Sequence, residues 1–196
     1  MTPNKSGKNS QGGFTIIETM IAIAIMSIGI MTLVAAFATA VGATNNAQEN
    51  LIARQKTLEA MESIYTARNT QQVTFDQIAN TSSGGIFTSA ATTLRCAGPD
   101  GLVNTTDDVN CPASGPCAAG PECVVMPGPD GILGTADDKA MSLANFTRQI
   151  AISNVLNPDG TNNQTLKQIV VTVSYTTGGS TVPRSYTVNG LISSFR

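Results

Sequence analysis

The sequence predicts an α+β fold in which a long N-terminal α-helix packs against a C-terminal antiparallel β-sheet, with a Cys-rich loop insertion between the two. Three observations support this prediction. No charged residue occurs from Thr19 to Gln48, and neither Gly nor Pro occurs from Ala43 to Gln72, which favours one continuous helix of about 55 residues. Three segments rich in β-branched residues end the chain, and all four cysteines lie between the helix and these segments.

The first half of this helix has the length and composition of a membrane span. Residues 20–41 are dense in Ile, Met, Ala and Val, and about 20 apolar residues suffice to cross a bilayer. Helices of soluble domains average only about a dozen residues, so a membrane helix is the better interpretation. The polar leader before it contains Lys5 and Lys8 and no acid, which predicts a cytoplasmic N-terminus and an external C-terminal part.

One acidic residue, Glu18, stands at the head of the apolar run, where an unpaired carboxylate costs several kcal/mol. The surrounding motif, Gly13-Phe14-Thr15-Ile16-Ile17-Glu18, follows a short basic leader. A conventional secretory signal has a shorter apolar core of about 7 to 15 residues. The whole arrangement resembles the class III signal of type IV prepilins and type II secretion pseudopilins.

The resemblance implies a processing route and an assembly role. A membrane aspartyl peptidase of the prepilin type would cut on the cytoplasmic face after Gly13, and the new N-terminal residue, Phe14, would be N-methylated. Glu18 would then meet the Phe14 amine of a neighbouring subunit, and such a partner makes the burial of its charge tolerable. Residues 27–37 resemble minor pilins of the PilV type and the corresponding minor pseudopilins.

The resemblance also implies domains, partners and location. It divides the chain into a leader (1–13), a transmembrane and assembly half of the helix (14–43), and an extracytoplasmic pilin head (44–196) that includes an insertion (96–138). The implied partners are a prepilin peptidase/methyltransferase, other pilin or pseudopilin subunits and an inner-membrane assembly platform. The chain would span the inner membrane once before assembly, and afterwards lie in a pilus or pseudopilus in the periplasm or at the cell surface.

Periodicity predicts the elements of the head. Residues 70–93 are polar and poorly periodic, which predicts a loop with room for a short strand or helix. Three antiparallel strands are predicted at Phe146–Ile152, Leu166–Thr176 and Arg184–Ile192, separated by turn signals at 157–160 and 177–180. They would cover the apolar stripe of an amphipathic helix, formed by Ala43, Ala47, Leu51, Leu58, Met61 and Tyr65.

The insertion between Arg95 and Lys139 contains no Lys or Arg and six of the nine prolines, so a helix or a long strand is hard to place there. Its four cysteines predict disulfides in an exported protein, with three possible pairings. We favour Cys96 with Cys111 and Cys117 with Cys123, because the first pair would close the neck of the loop between them. A four-cysteine zinc site is disfavoured, because the close Cys-x-x-Cys pairs typical of zinc are absent.

The insertion also contains an internal repeat. Residues 98–108 (GPDGLVNTTDD), the first Asp loop, recur as residues 128–138 (GPDGILGTADD), the second Asp loop. Pro-Asp-Gly favours a tight turn that returns the trailing carboxylates toward the first Asp, and such an oxygen-rich cage suits Ca²⁺. The alternative is a pair of side-chain-stabilised turns with solvated acids. The predicted calcium ligands are Asp100, Asn104, Asp107, Asp108, Asp130, Asp137 and Asp138.

Composition disfavours several function classes. The chain has no His, which removes the Ser-His-Asp and Cys-His nucleophile systems, and we predict no catalytic residue. A net charge of −2 does not suit sequence-general binding of nucleic acid. The resemblance to prepilins implies a structural, non-enzymatic subunit of a type IV pilus, most like a minor pilin, and the composition is consistent with this expectation. The alternatives are a minor pseudopilin of a type II secretion system and a membrane-anchored extracytoplasmic binding domain.

Overall fold

The computed structural model describes residues 13–177 and 182–195 and confirms the α+β fold. The predicted long helix, α1, contains 54 residues. Contacts divide the chain into two compact units, the N-terminal unit (Met1–Asn45) and the C-terminal unit (Asn46–Arg196). The elements in chain order are α1 (Ile16–Asn69), a 3₁₀ turn (Thr81–Ser83), β1 (Thr92–Thr93), β2 (Cys123–Met126), β3 (Lys139–Ser142), β4 (Phe146–Leu156), β5 (Asn162–Tyr175) and β6 (Arg184–Ser193).

Four antiparallel strands form the main sheet of the C-terminal unit in the order β1-β4-β5-β6. The three long strands are the predicted ones, and their alternating apolar residues, such as Ile169 and Val171 in β5, are buried on one face. The predicted turn at 157–160 joins β4 to β5, and Gly160 there has a φ of +83°, which favours glycine. Residues 178–181, which hold most of the other predicted turn, lie outside the described residues.

The core of the C-terminal unit lies between α1 and this sheet. The predicted stripe is confirmed at Met61, which is buried, and at Tyr65, which packs against the core, but it is wrong at Leu51 and Leu58, which are exposed. The helix instead approaches β6 closely: a Cβ added at Gly190 would lie 2.5 Å from Tyr65 Oη and 3.0 Å from Met61 Sδ. Such an approach favours small residues on the buried face, which is formed by Ile52, Ala53, Thr57, Ala60, Met61, Ile64, Ala67 and Arg68.

A short antiparallel strand pair begins near the end of the insertion. β2 and β3 pair antiparallel, from Cys123 opposite Ser142 to Met126 opposite Lys139. The second Asp loop lies within the connection between them. Residues 123–126 form only a short strand, so the insertion contains neither a helix nor a long strand among its described residues. The pairing partner, residues 139–142, lies outside the insertion, so the composition of the insertion alone does not reveal the pair.

A buried amide, Asn80, attaches the loop after α1 to the edge of β4. Its Nδ2 donates to the carbonyls of Phe87 (3.3 Å) and Ile150 (2.8 Å), and its Oδ1 accepts the N–H of Ile152 (2.8 Å). Strand β1 pairs only with residues 147 and 148 of β4. Asn80 thus satisfies backbone groups of β4 beyond the end of β1, where buried groups would otherwise lack partners.

Candidate functional site

The residues of the N-terminal signal lie at the start of α1, which begins at Ile16. Thr15 caps the helix, because its Oγ1 and its carbonyl oxygen both accept the N–H of Glu18, at 3.3 and 3.1 Å. Thr15 and Glu18 have the spacing of a capping box, a signal that the sequence analysis missed. The Glu18 carboxylate also lies in the first turn, where the helix dipole favours negative charge. Glu18 therefore has a local role at the start of the helix, and its role in assembly stays a prediction.

Apolar side chains of the N-terminal unit are exposed along the first half of α1. The large apolar residues from Phe14 to Val41 are between 54% and 82% exposed. Within residues 13–177 and 182–195, α1 is the one helix long and apolar enough to cross a membrane. A continuous exposed apolar surface of this kind marks a contact with a membrane or another protein. Lipid or the helices of other subunits would cover these exposed side chains.

The hydroxyl groups within this apolar half bond to the helix itself. Thr19, Ser27, Thr32 and Thr39 each donate to a carbonyl three or four residues earlier, at 2.7–2.9 Å. Lipid supplies no water to hydrogen-bond, so polar groups in a membrane helix must be satisfied internally. Glu18 differs from these hydroxyl groups, because it is the one charged residue from residue 14 to residue 48 and this segment contains no residue of opposite charge.

Comparison with known families supports the same segment. Residues 8–34 match the family model described as the prokaryotic N-terminal methylation motif. No curated protein and no solved structure is significantly similar to the chain. The chain therefore carries a type IV pilin-like or pseudopilin-like signal, followed by an apolar helix that fits a membrane-anchored pilin.

Each Asp loop is folded by hydrogen bonds within itself. In the second loop, Asp137 accepts the N–H of Asp130 at 3.3 Å and the Thr135 hydroxyl at 2.6 Å. Asp138 Oδ2 accepts the N–H of Gly134 at 2.7 Å. The first loop repeats these bonds at the corresponding positions. The carboxylates thus bond to backbone N–H and threonine hydroxyl groups of their own loop, as in side-chain-stabilised turns.

These bonds change the acidity of the loop carboxylates. The Thr105 hydroxyl holds the pKa of Asp107 below its ordinary value, and the matching hydroxyl in the second loop does the same for Asp137. Asp108 differs, because burial raises its pKa against backbone hydrogen bonds and the positive charge of Arg148. Among these influences on the pKa of Asp108, the charge of Arg148 is the smallest.

The surroundings of the two loops also differ. In the first loop, Leu102 is 2% exposed and joins the core. The Asn104 side-chain oxygen accepts the Thr92 hydroxyl at 3.1 Å, so this predicted ligand atom is already bonded to β1. In the second loop, Ile132 and Leu133 are 60% and 61% exposed. The same local fold is thus part of the core in one copy and solvated in the other.

A calcium site requires ligand atoms that the loops do not already use. Among residues 13–177 and 182–195, no group of three or more His, Cys, Asp or Glu residues lies close enough to hold a metal ion. In the described chain, however, Asp138 Oδ1 is buried and has no hydrogen-bond partner. The equivalent oxygen of Asp108 accepts the Thr105 hydroxyl at 3.1 Å. Calcium binding stays a prediction, and the second loop fits it better than the first.

Both disulfides form in the pairing favoured above. The Cα atoms of Cys96 and Cys111 are 5.0 Å apart, and those of Cys117 and Cys123 are 6.0 Å apart. Cys111 and Gly120 exchange two backbone hydrogen bonds, at 2.7 and 3.0 Å, which connect the two disulfide loops. All four cysteines are oxidised, so they supply no thiolate to the alternative zinc site.

A buried charge cluster escaped the sequence analysis. Glu122 Oε2 lies 2.6 Å from Lys56 Nζ, and Glu122 Oε1 lies 3.5 Å from Arg148 Nη1. Lys56 also pairs with Glu59 at 2.9 Å. Burial lowers the pKa of Arg148, although the charge of Glu122 opposes this. Burial also acts to lower the pKa of Lys56, but hydrogen bonds and charge interactions with Glu122 and Glu59 outweigh it and raise that pKa. The partners belong to α1, the insertion and β4, so no local pattern reveals them.

Proposed function

We propose that the chain is a structural, non-enzymatic subunit of a type IV pilus, most like a minor pilin. The observation that carries the proposal is a methylation signal that extends into the apolar first half of α1, whose side chains are exposed in the monomer. Such a helix needs lipid before assembly and neighbouring helices after it. The C-terminal unit, with its own core and disulfides, would form the extracytoplasmic head.

In this proposal a prepilin peptidase/methyltransferase cuts after Gly13 and methylates the Phe14 amine. Cleavage removes the leader with Lys5 and Lys8, and it creates a positive charge four residues before Glu18. Within a filament, the Glu18 carboxylate of one subunit pairs with the Phe14 amine of another. Pairing offsets the cost of removing both charges from water. An inner-membrane assembly platform and the other pilin subunits would be the partners.

The same N-terminal physics serves a minor pseudopilin of a type II secretion system, which is the second candidate. The identity of copurifying subunits discriminates the two systems. A plain membrane-anchored binding domain is the third candidate, and it predicts a chain that keeps its leader. Processing is therefore the first property to measure.

We also propose that the second Asp loop binds Ca²⁺, which would stiffen the head. The buried, unpartnered Oδ1 of Asp138 supports this loop in particular. Asp130 and Asp137 would supply further oxygens, because their carboxylates lie in the same hydrogen-bonded loop. The first loop, with Asp100, Asp107 and Asp108, is the weaker candidate, because Asp108 Oδ1 already accepts the Thr105 hydroxyl.

Intact-mass analysis of membrane material tests processing. We expect a chain that begins at Phe14 and carries one N-methyl group in cells with an active prepilin peptidase. Gly13→Val should block cleavage, whereas the matched variant Gly12→Val should leave it intact. A dominant species that keeps residues 1–13 in the wild type would contradict the proposal.

Substitution of Glu18 tests assembly. Glu18→Ala and Glu18→Val should leave cleavage, export and disulfides intact and reduce the amount of subunit in sheared filaments. Glu18→Gln separates the two roles of this residue, because glutamine keeps the capping-box chemistry and loses the charge. If charge pairing matters, Glu18→Gln assembles as poorly as Glu18→Ala. Wild-type incorporation of Glu18→Gln would show that capping alone is required.

A further inference from the structure

We propose that Lys56, Glu122 and Arg148 form an electrostatic latch, which makes docking of α1 in the C-terminal unit depend on the Cys117–Cys123 disulfide. The latch joins three separate parts of the chain, since Lys56 lies in α1, Glu122 in the insertion and Arg148 in β4. Arg148 is 2% exposed, and Glu122 and Lys56 are also largely enclosed. One carboxylate therefore serves two cations in a setting that excludes most water.

Backbone contacts and a disulfide hold Glu122 in place. Its N–H donates to the Leu94 carbonyl at 2.9 Å, and its own carbonyl accepts the N–H of Leu143 at 2.8 Å. The next residue, Cys123, is bonded to Cys117. Closing this loop limits the conformations that Glu122 can adopt before the insertion docks. The entropy cost of placing its carboxylate between the two cations is correspondingly smaller.

The Glu122 carboxylate joins the insertion to α1 beside a cavity. The cavity, of about 500 Å³, lies between them and is lined by Lys56 and all four cysteines, among others. Apolar packing is interrupted at the cavity, so the ion pairs form a larger share of the contact. Among the carboxylates whose charges raise the pKa of Arg148, Glu122 has the largest effect. Removing one member of a buried charge cluster leaves the others without compensation, which costs far more than removing all of them.

Oxidation of the insertion and docking of α1 are coupled through this latch. Forming the Cys117–Cys123 bond releases two protons and two electrons from two thiols, and a protein disulfide in the extracytoplasmic compartment accepts them and becomes a dithiol. The availability of this oxidant rests on the proposed location of the head. A chain with reduced thiols would place Glu122 less firmly and dock α1 less stably. The compact form would thus be favoured after export.

A double-mutant cycle on the full chain in detergent micelles tests the latch. It compares the wild type, Glu122→Gln, the pair Cys117→Ser/Cys123→Ser, and the combination of all three substitutions. Denaturant titration gives the unfolding constant of the C-terminal unit in each protein. We expect loss of the disulfide to raise this constant at least tenfold more in the wild type than in the Glu122→Gln background. Effects that are additive within twofold would overturn the proposal.

Two controls make the test specific. Glu62→Gln removes an exposed carboxylate of α1, and its effect should add to that of the serine pair. Cys96→Ser/Cys111→Ser removes the disulfide that is not adjacent to Glu122, and its effect should add to that of Glu122→Gln. A tenfold coupling in either control would overturn the assignment to Glu122 and Cys117–Cys123.

Substitutes exist for variants that do not accumulate. Glu122→Gln/Arg148→Met, which removes both charges, can replace Glu122→Gln and should lose the coupling as well. Reduction with dithiothreitol of folded proteins that carry Cys96→Ser/Cys111→Ser, and so retain only the Cys117–Cys123 bond, can replace the serine pair, with the same tenfold and twofold criteria. None of these measurements depends on cleavage at Gly13 or on assembly. Failure of the latch would therefore leave the proposed function untouched.

Discussion

Replacing Asn80 should destabilise the C-terminal unit more than any exposed amide, because this side chain substitutes for a strand at the edge of β4. Asn80→Ala removes two short hydrogen bonds, the 2.8 Å bonds to the Ile150 carbonyl and from the Ile152 N–H. Each unsatisfied buried group costs about 1–3 kcal/mol, so we expect a loss of about 3 kcal/mol. For a unit of this size that corresponds to a fall of about 6–12 °C in melting temperature.

Circular dichroism of the full chain in detergent, followed through the sheet signal, measures this change. Asn145→Ala is the matched control, because Asn145 is exposed and makes one side-chain bond, to the Thr176 carbonyl at 2.9 Å. The control should shift the melting temperature by no more than about 2 °C. Asn80→Asp should be at least as damaging as Asn80→Ala, since it turns a carboxylate toward two carbonyls. A shift below about 2 °C in Asn80→Ala would show that the edge of β4 does not need this amide.

Three further predictions concern packing, metal and pH. Gly190→Ala should lower the free energy of unfolding, measured by urea denaturation, by about 2 kcal/mol, because the new Cβ would lie 2.5 Å from Tyr65 Oη. Adding Tyr65→Phe should restore part of this loss. No recovery would show that the clash lies elsewhere. Millimolar Ca²⁺ should raise the melting temperature above the value measured in chelator. The corresponding gain in stability is about 2.7 kcal/mol at a hundredfold excess over the dissociation constant, and Asp138→Asn should remove it. Identical melting with and without Ca²⁺ would contradict a structural metal. The Thr135 hydroxyl lowers the pKa of Asp137 in the folded state. This carboxylate therefore stabilises the folded state fully above about pH 4, and less as the pH falls through the lowered folded-state pKa. The melting temperature of Asp137→Asn should depend less on pH below about 4 than that of the wild type, and an equal dependence on pH would contradict the prediction.

Local sequence patterns were sufficient to predict most of the regular elements of this protein and its N-terminal signal. The long helix, the three long strands and the turn at 157–160 each have causes within a short window: uninterrupted helix-forming sequence, β-branched residues and a Pro-Asp-Gly turn signal. The methylation signal is local for the same reason, and residues 8–34 match it without any contribution from the rest of the chain. The favoured disulfide pairing is local as well, because the bonded cysteines are only 15 and 6 residues apart in sequence.

Contacts between distant segments decided the rest. The buried face of α1 depends on how closely the helix approaches Gly190, which the helix sequence does not contain. The two Asp loops match at seven of eleven positions, yet Leu102 is buried and Ile132 is exposed, because the first loop packs on the core. The partners of Glu122 come from α1 and β4. Burial and charge pairing depend on which surfaces meet in three dimensions, and periodicity along the chain carries no information about that.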